Sequence, residues 1–81
     1  MKYRKKPIEV QAFRLGHDEV PMWARRPHVH ILESGTSSAA IVHTREGDMC
    51  CSHGDWIIKG IRGELYPCKA EIFTENYEAI E

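Results

Sequence analysis

The sequence predicts an α+β fold: a small, strongly twisted antiparallel β-sheet, a meander open to partial closure as a barrel, with one short helix packed on it. Three observations carry this expectation. Residues 54–73 form the densest run of apolar and turn-forming residues in the chain. Each of the turns Glu46-Gly47, His53-Gly54 and Arg62-Gly63 ends in glycine, which supplies the positive φ that most side chains resist, so short strands fold back in succession. Residues 19–25 place Val20, Trp23 and Ala24 on one face of a helix.

At 81 residues there is room for one domain, residues 1–81, and a chain of this size buries only a modest share of its surface. Dimerisation would therefore help it. The 11 basic and 12 acidic side chains nearly cancel, which argues against nucleic acid or an anionic membrane surface as partner. No apolar run approaches the roughly 20 residues that cross a bilayer. The basic N-terminus is not followed by the apolar segment of a signal peptide, so export is not expected. Cys50, Cys51 and Cys68 are an odd set with two members adjacent, a poor disulfide framework that suits a reducing cytoplasm.

Taken in order, Lys2, Arg4, Lys5 and Lys6 lead to Pro7, and Ile8, Val10 and Ala12 then alternate with Glu9 and Gln11, the pattern of a first strand with a charged, exposed lead-in. Glu75, Glu78 and Glu81 lie at the other end. Pairing of the first and last strands would set these charges against the lysines and argues against a phosphate-binding arm. Such exposed pairs contribute about 0–1 kcal/mol each, enough to favour a register. Phe13-Arg14-Leu15-Gly16 closes the strand, and Asp18 is placed to cap the helix of residues 19–25. Pro21 falls in its first turn, where a missing amide costs little. Trp23 reads as a core anchor, and Arg25, Arg26 and Pro27 stop the helix.

Residues 28–32 read as an extended piece, and residues 33–39, with Gly35 among hydroxyl side chains, as a flexible loop. Residues 40–44 and 49–52 read as strands. In the stretch that follows, Trp56, Ile58 and Gly60 point to one side and Ile57, Lys59 and Ile61 to the other, leaving apolar residues on both faces, as in an inner strand. Gly63 turns the chain, Leu65 and Tyr66 begin the return, and Pro67, with no amide proton for a ladder, ends that strand or places it at an edge. Residues 70–73 suit one helical turn with Ile72 and Phe73 tucked under the sheet, and residues 77–80 a last strand.

Candidate chemistry is sparse. His28 and His30 share a strand face, as do Cys51 and His53, but the spacing matches no zinc signature, so no metal or other cofactor is expected. Cys68 beside Lys69 has the makings of a lowered thiol pKa but no histidine near in sequence to act as base. Asp55 and Glu64 are better used as a turn residue and as a cross-strand partner of Arg62 or Lys59 than as an acid–base pair. No catalytic residue is assigned.

Several segments resemble, in order, a widespread family of small proteins encoded by tailed bacteriophages and prophages. They are Met1-Lys2-Tyr3-Arg4-Lys5-Lys6-Pro7, Ala12-Phe13-Arg14-Leu15-Gly16, Pro21-Met22-Trp23, Glu46-Gly47, Gly54-Asp55-Trp56-Ile57-Ile58-Lys59-Gly60, Gly63-Glu64-Leu65-Tyr66-Pro67-Cys68-Lys69, Ile72-Phe73 and Tyr77-Glu78. The segment around Tyr66-Pro67-Cys68-Lys69 is the hallmark; residues 26–38 lie outside the resemblance, and the family has proline and aspartate where this chain has Ala70 and Glu71. The resemblance implies a phage-borne protein acting in the cytoplasm of a bacterial host, and implies no reaction. The leading expectation is a non-enzymatic accessory protein that binds a host protein or itself as a homodimer. The alternative is capture of a phosphorylated metabolite or nucleotide signal near Lys59, Arg62 and Lys69, where cations sit beside glycine-containing turns.

Overall fold

The computed structural model describes residues 1–80. Six strands and one helix follow one another: β1 (Gln11–Arg14), β2 (Val29–Ser34), β3 (Ser37–Thr44), β4 (Gly47–Ser52), β5 (Trp56–Lys59), β6 (Leu65–Cys68) and α1 (Ala70–Asn76). The α+β class holds, but the strands form two antiparallel three-stranded sheets and no closed barrel: sheet 1 in the order β1-β5-β6 and sheet 2 in the order β2-β3-β4.

Sheet 2 is the meander read from the turns. Its strands pair Val29↔Val42 through Ser34↔Ser37 and Ala39↔Ser52 through Thr44↔Gly47. Residues 33–39 are therefore not a loop throughout. Their ends pair as Glu33↔Ser38 and Ser34↔Ser37, and only Gly35 and Thr36 make the turn. Gly35, at φ 61°, lets a two-residue connection reverse the chain and frees its hydroxyl neighbours to join the ladder.

In sheet 1, β5 is the inner strand, and both Ile57 and Ile58 are fully buried. Burying each contributes about 1.5–3 kcal/mol. Phe13 lies opposite Ile57 and Ala12 opposite Ile58, so Phe13 and Ile57 share one face and Ala12 and Ile58 the other. The first face meets sheet 2, where Val29, Ala40, Val42 and Cys51 complete the main core with Leu15 and Ala24. The β6 strand, which packs against β3 and β4, is at the edge of sheet 1 and carries Pro67, a position where the missing amide costs no ladder bond.

The pairing of first and last strands is not formed. β1 instead pairs with β5, from Gln11↔Lys59 to Arg14↔Trp56. Residues 77–80 form no strand, residues 1–10 contain no helix or strand, and Ile8 is exposed. The apolar β5 gives Phe13 and Ala12 apolar partners, while the outer edge of β1 stays unpaired, because lysine–glutamate matching at a wet edge is worth little. The Glu81 part of that expectation lies outside the described residues.

Residues 19–25 are not helical. They hold one turn at residues 22–24, closed by the Ala24 amide on the Pro21 carbonyl at 3.0 Å, because Pro21 biases Val20 away from the helical region and the segment is too short to nucleate without help. Asp18 accepts the Arg14 amide through Oδ2 at 2.8 Å and closes the turn after β1 rather than capping a helix. The apolar pattern nevertheless keeps its use, with Ala24 fully buried and Val20 and Trp23 packed on the core. Trp23 meets Phe13 edge to face with centroids 5.6 Å apart.

The helix lies at residues 70–76, on the second face of sheet 1. Phe73 stacks on Trp56 at 3.9 Å with planes 5° apart, and Tyr77 stacks on Phe73 at 4.8 Å. Phe73 is thus covered as expected, while Ile72 is exposed. Sheet 1 is the middle layer of three, between sheet 2 and the aromatic stack.

Candidate functional site

Two clefts flank sheet 1. The larger, about 1020 Å³, lies on its outer face and is walled by Trp56, Tyr66, Phe73 and Tyr77. Residues 5–10, Ile61 and residues 78–80 also line it, and Ile61 and Ile80 are both about two-thirds exposed. Local folding explains the aromatic wall. Trp56 and Tyr66 lie on the same face of the β5–β6 ladder, being in register with Cys68 and Ile58. Phe73 and Tyr77 are four residues apart and so project from one side of the helix end. The Tyr66 and Tyr77 hydroxyls meet at 3.5 Å, and burial followed by that contact raises the Tyr66 pKa. The Tyr66 phenol therefore remains protonated at neutral pH.

Charges around this cleft are uneven. Glu9, Asp18, Glu19, Glu64 and Glu78 line it against Lys5 and Lys6. An apolar floor with a mainly acidic rim complements a basic segment carrying apolar side chains.

The smaller cleft, about 930 Å³, lies where the β5–β6 turn meets the β3–β4 turn. Lys59 and Arg62 line it together, with Arg45 from the facing turn and with His28 and His43. Lys69 does not. It follows β6 at the Trp56↔Cys68 end of the hairpin, whereas Lys59 pairs with Leu65 at the other end, about 10 Å away along the strand. The three cations anticipated as one site are therefore two plus a distant third. Arg45, from a turn that sequence spacing leaves unconnected to Arg62, takes the third place.

Asp55 and Glu64 are likewise at opposite ends of the hairpin and form no acid–base pair. Asp55 accepts the Ala70 amide through Oδ1 at 3.0 Å, capping the helix from another element where Lys69 supplies no side-chain cap. Glu64 accepts the Arg62 amide at 3.0 Å, so its partner is the turn's backbone and not the Arg62 or Lys59 side chain.

Cys51 is buried, and burial, with the Asp55 carboxylate and Cys68 adding to it, pushes its thiol up to about 11. Burial and then Asp55 raise the Cys68 thiol as well. A lysine next in sequence does not make Cys68 a thiolate, and a protonated thiol is a poor nucleophile. His30 hydrogen-bonds Arg26, His43 pairs with Asp48 at 2.6 Å, and His53 accepts the Ser38 amide at 3.1 Å. Among the described residues, no group of three or more His, Cys, Asp or Glu side chains is arranged to hold a metal ion. No described helix is long and apolar enough to cross a membrane.

The sequence reading missed the outer cleft because its walls come from segments far apart in the chain. One signal was present: Phe73 and Tyr77 at helical spacing, downstream of a strand whose Trp56 faces outward. Comparison with protein-family models, curated proteins and solved structures finds no match to this chain.

Proposed function

We propose that this protein is a phage-encoded, non-enzymatic binding module that acts in the cytoplasm of a bacterial host by holding a basic, apolar-anchored segment of a host protein in the outer cleft. The observation that carries this reading is the aromatic wall of Trp56, Tyr66, Phe73 and Tyr77 beneath a mainly acidic rim. Aromatic anchors in a cleft supply binding energy at small entropic cost, and rim charges select the partner and speed its approach. The backbone bonds that occupy Asp55 and Glu64 and the raised thiols of Cys51 and Cys68 support binding over chemistry, as does the resemblance to the phage family.

A photo-crosslinking residue placed at Ile61 or Ile80, inside the cleft, tests this in the bacterial host against one placed at Leu32 on sheet 2. The expected result is an adduct from the two cleft positions and none from Leu32, with the captured peptide rich in lysine or arginine, and its loss on Glu19→Lys together with Glu78→Lys. Equal capture at Leu32, or no adduct from the cleft, refutes the proposal.

A second reading rests on the chain's own N-terminus. Residues 1–6 are basic, and Met1 and Tyr3 are almost fully exposed, so a second copy carries a segment of the required chemistry. A crosslink from Ile80 to residues 1–6 of another copy, with a dimer mass that residues 7–81 alone do not reach, would make self-association the function of the cleft.

A further inference from the structure

The smaller cleft has a different chemistry. Arg45 comes from the β3–β4 turn, Lys59 from the end of β5 and Arg62 from the β5–β6 turn. None of the three makes an ion pair, the one ion pair among the described residues being His43 with Asp48. Carboxylates are close: Glu46 and Glu64 share the lining. Glu64, however, is turned to the Arg62 amide, and Glu46 pairs with none of these cations. Cations brought together from separate elements and left without carboxylate partners repel one another, and an anion relieves that repulsion. The remaining wall includes Trp23, Tyr66 and the half-exposed Met49 beside His28, His43 and Leu65, and the first three are flat or polarizable surfaces suited to a planar ring.

We propose that this cleft binds a small ligand that joins a phosphate group to a planar ring, as a nucleoside monophosphate does. Arg45 and Arg62 take the phosphate oxygens through their forked N–H donors, Lys59 adds a point charge, and the ring lies along Trp23 and Tyr66. The volume of about 930 Å³ falls within the roughly 300–1,000 Å³ common for such sites. This site shares Trp23, Glu64 and Tyr66 with the lining of the outer cleft, but Arg45, Lys59 and Arg62 line it alone, so loss of AMP on charge reversal at those cations leaves the protein-partner proposal standing, and failure of that proposal leaves this one standing.

The test is a two-dimensional amide and side-chain NMR titration of the intact protein with AMP, inorganic pyrophosphate and adenosine. AMP is expected to shift the Lys59, Arg62 and Arg45 signals together with the Trp23 indole. Pyrophosphate is expected to shift the cations and not the indole, and adenosine to bind more weakly than AMP. Arg62→Glu and Arg45→Glu, both at exposed turn positions, should each weaken AMP about tenfold or more, while Lys69→Glu at the far end of the hairpin leaves it unchanged. The proposal is overturned by any of three results: no shift at millimolar AMP, an equal loss on Lys69→Glu, or shifts centred on the lysines of residues 2–6.

Discussion

Replacing Asp55 with alanine should loosen the helix from sheet 1 without removing a residue of the apolar core. The helix has seven residues, none of them buried, and is far below the roughly 12–15 residues at which an isolated helix becomes marginal in water. Two attachments hold it, the Phe73–Trp56 stack and the bond from the Ala70 amide to Asp55. Removing a capping oxygen costs about 1 kcal/mol, with a range of about 0.5–2, and the lost carboxylate charge near a helix start accounts for about 0.3–1 of similar origin. Asp55→Ala should therefore lower stability by about 1–2 kcal/mol, and Asp55→Asn, which keeps an oxygen acceptor, by about 0.3–1. In a domain of this size each kcal/mol lowers Tm by about 4–8 °C. Urea unfolding followed by tryptophan fluorescence measures both. A second readout is specific to the carboxylate: it raises the Cys51 and Cys68 thiols, so either substitution should bring both down in a thiol titration. An Asp55→Ala protein within about 0.3 kcal/mol of the parent would refute the capping role, and thiols that do not move would show that the Asp55 charge does not reach them.

Raising pH should destabilise the fold between about pH 9 and 11. The Cys51 thiol titrates from 9.0 in the unfolded chain and about 11 in the folded one; in that window the unfolded state has released a proton that the native state retains, so unfolding gains with pH. Chemical denaturation at pH 8, 9, 10 and 11 should show the decline, and Cys51→Ala should reduce its slope; stability constant to pH 11 would contradict it. Ile57→Ala, at a fully buried position, should cost about 2–5 kcal/mol in urea unfolding, whereas Ile72→Ala, at an exposed one, should stay within about 0.5 kcal/mol. Ellman's reagent should modify the exposed Cys50 at once and the buried Cys51 only as the protein unfolds; equal rates would mean that sheet 1 does not cover the Cys51 thiol.

Much of the scaffold was legible because its signals are local. Gly47, Gly54 and Gly63 all adopt the positive φ that their turns called for, and the two-sided burial of β5 followed from Ile57 and Ile58 in succession. The failures share a cause. Apolar spacing at Val20, Trp23 and Ala24 identified what would be buried but not the backbone that buries it, since turns around Pro21 reach the same core. Charge matching between the chain ends misplaced β1, whose partner was chosen by apolar contact with β5. Lys59 and Arg62 line one cleft because both stand at the same end of the β5–β6 hairpin, while the length of β6 carries Lys69 away from that end. Arg45 and the aromatic wall depend on how the two sheets and the helix stack, which no local spacing encodes.

The outer cleft exists only if the helix walls the outer face of sheet 1, and nuclear Overhauser contacts between the Trp56 and Phe73 rings in solution test that most directly. Stacking at 3.9 Å predicts strong ring-to-ring cross peaks and upfield-shifted Phe73 ring protons. Phe73 signals at unstructured-peptide positions, with no contact to Trp56, would show the helix undocked and the cleft without its wall.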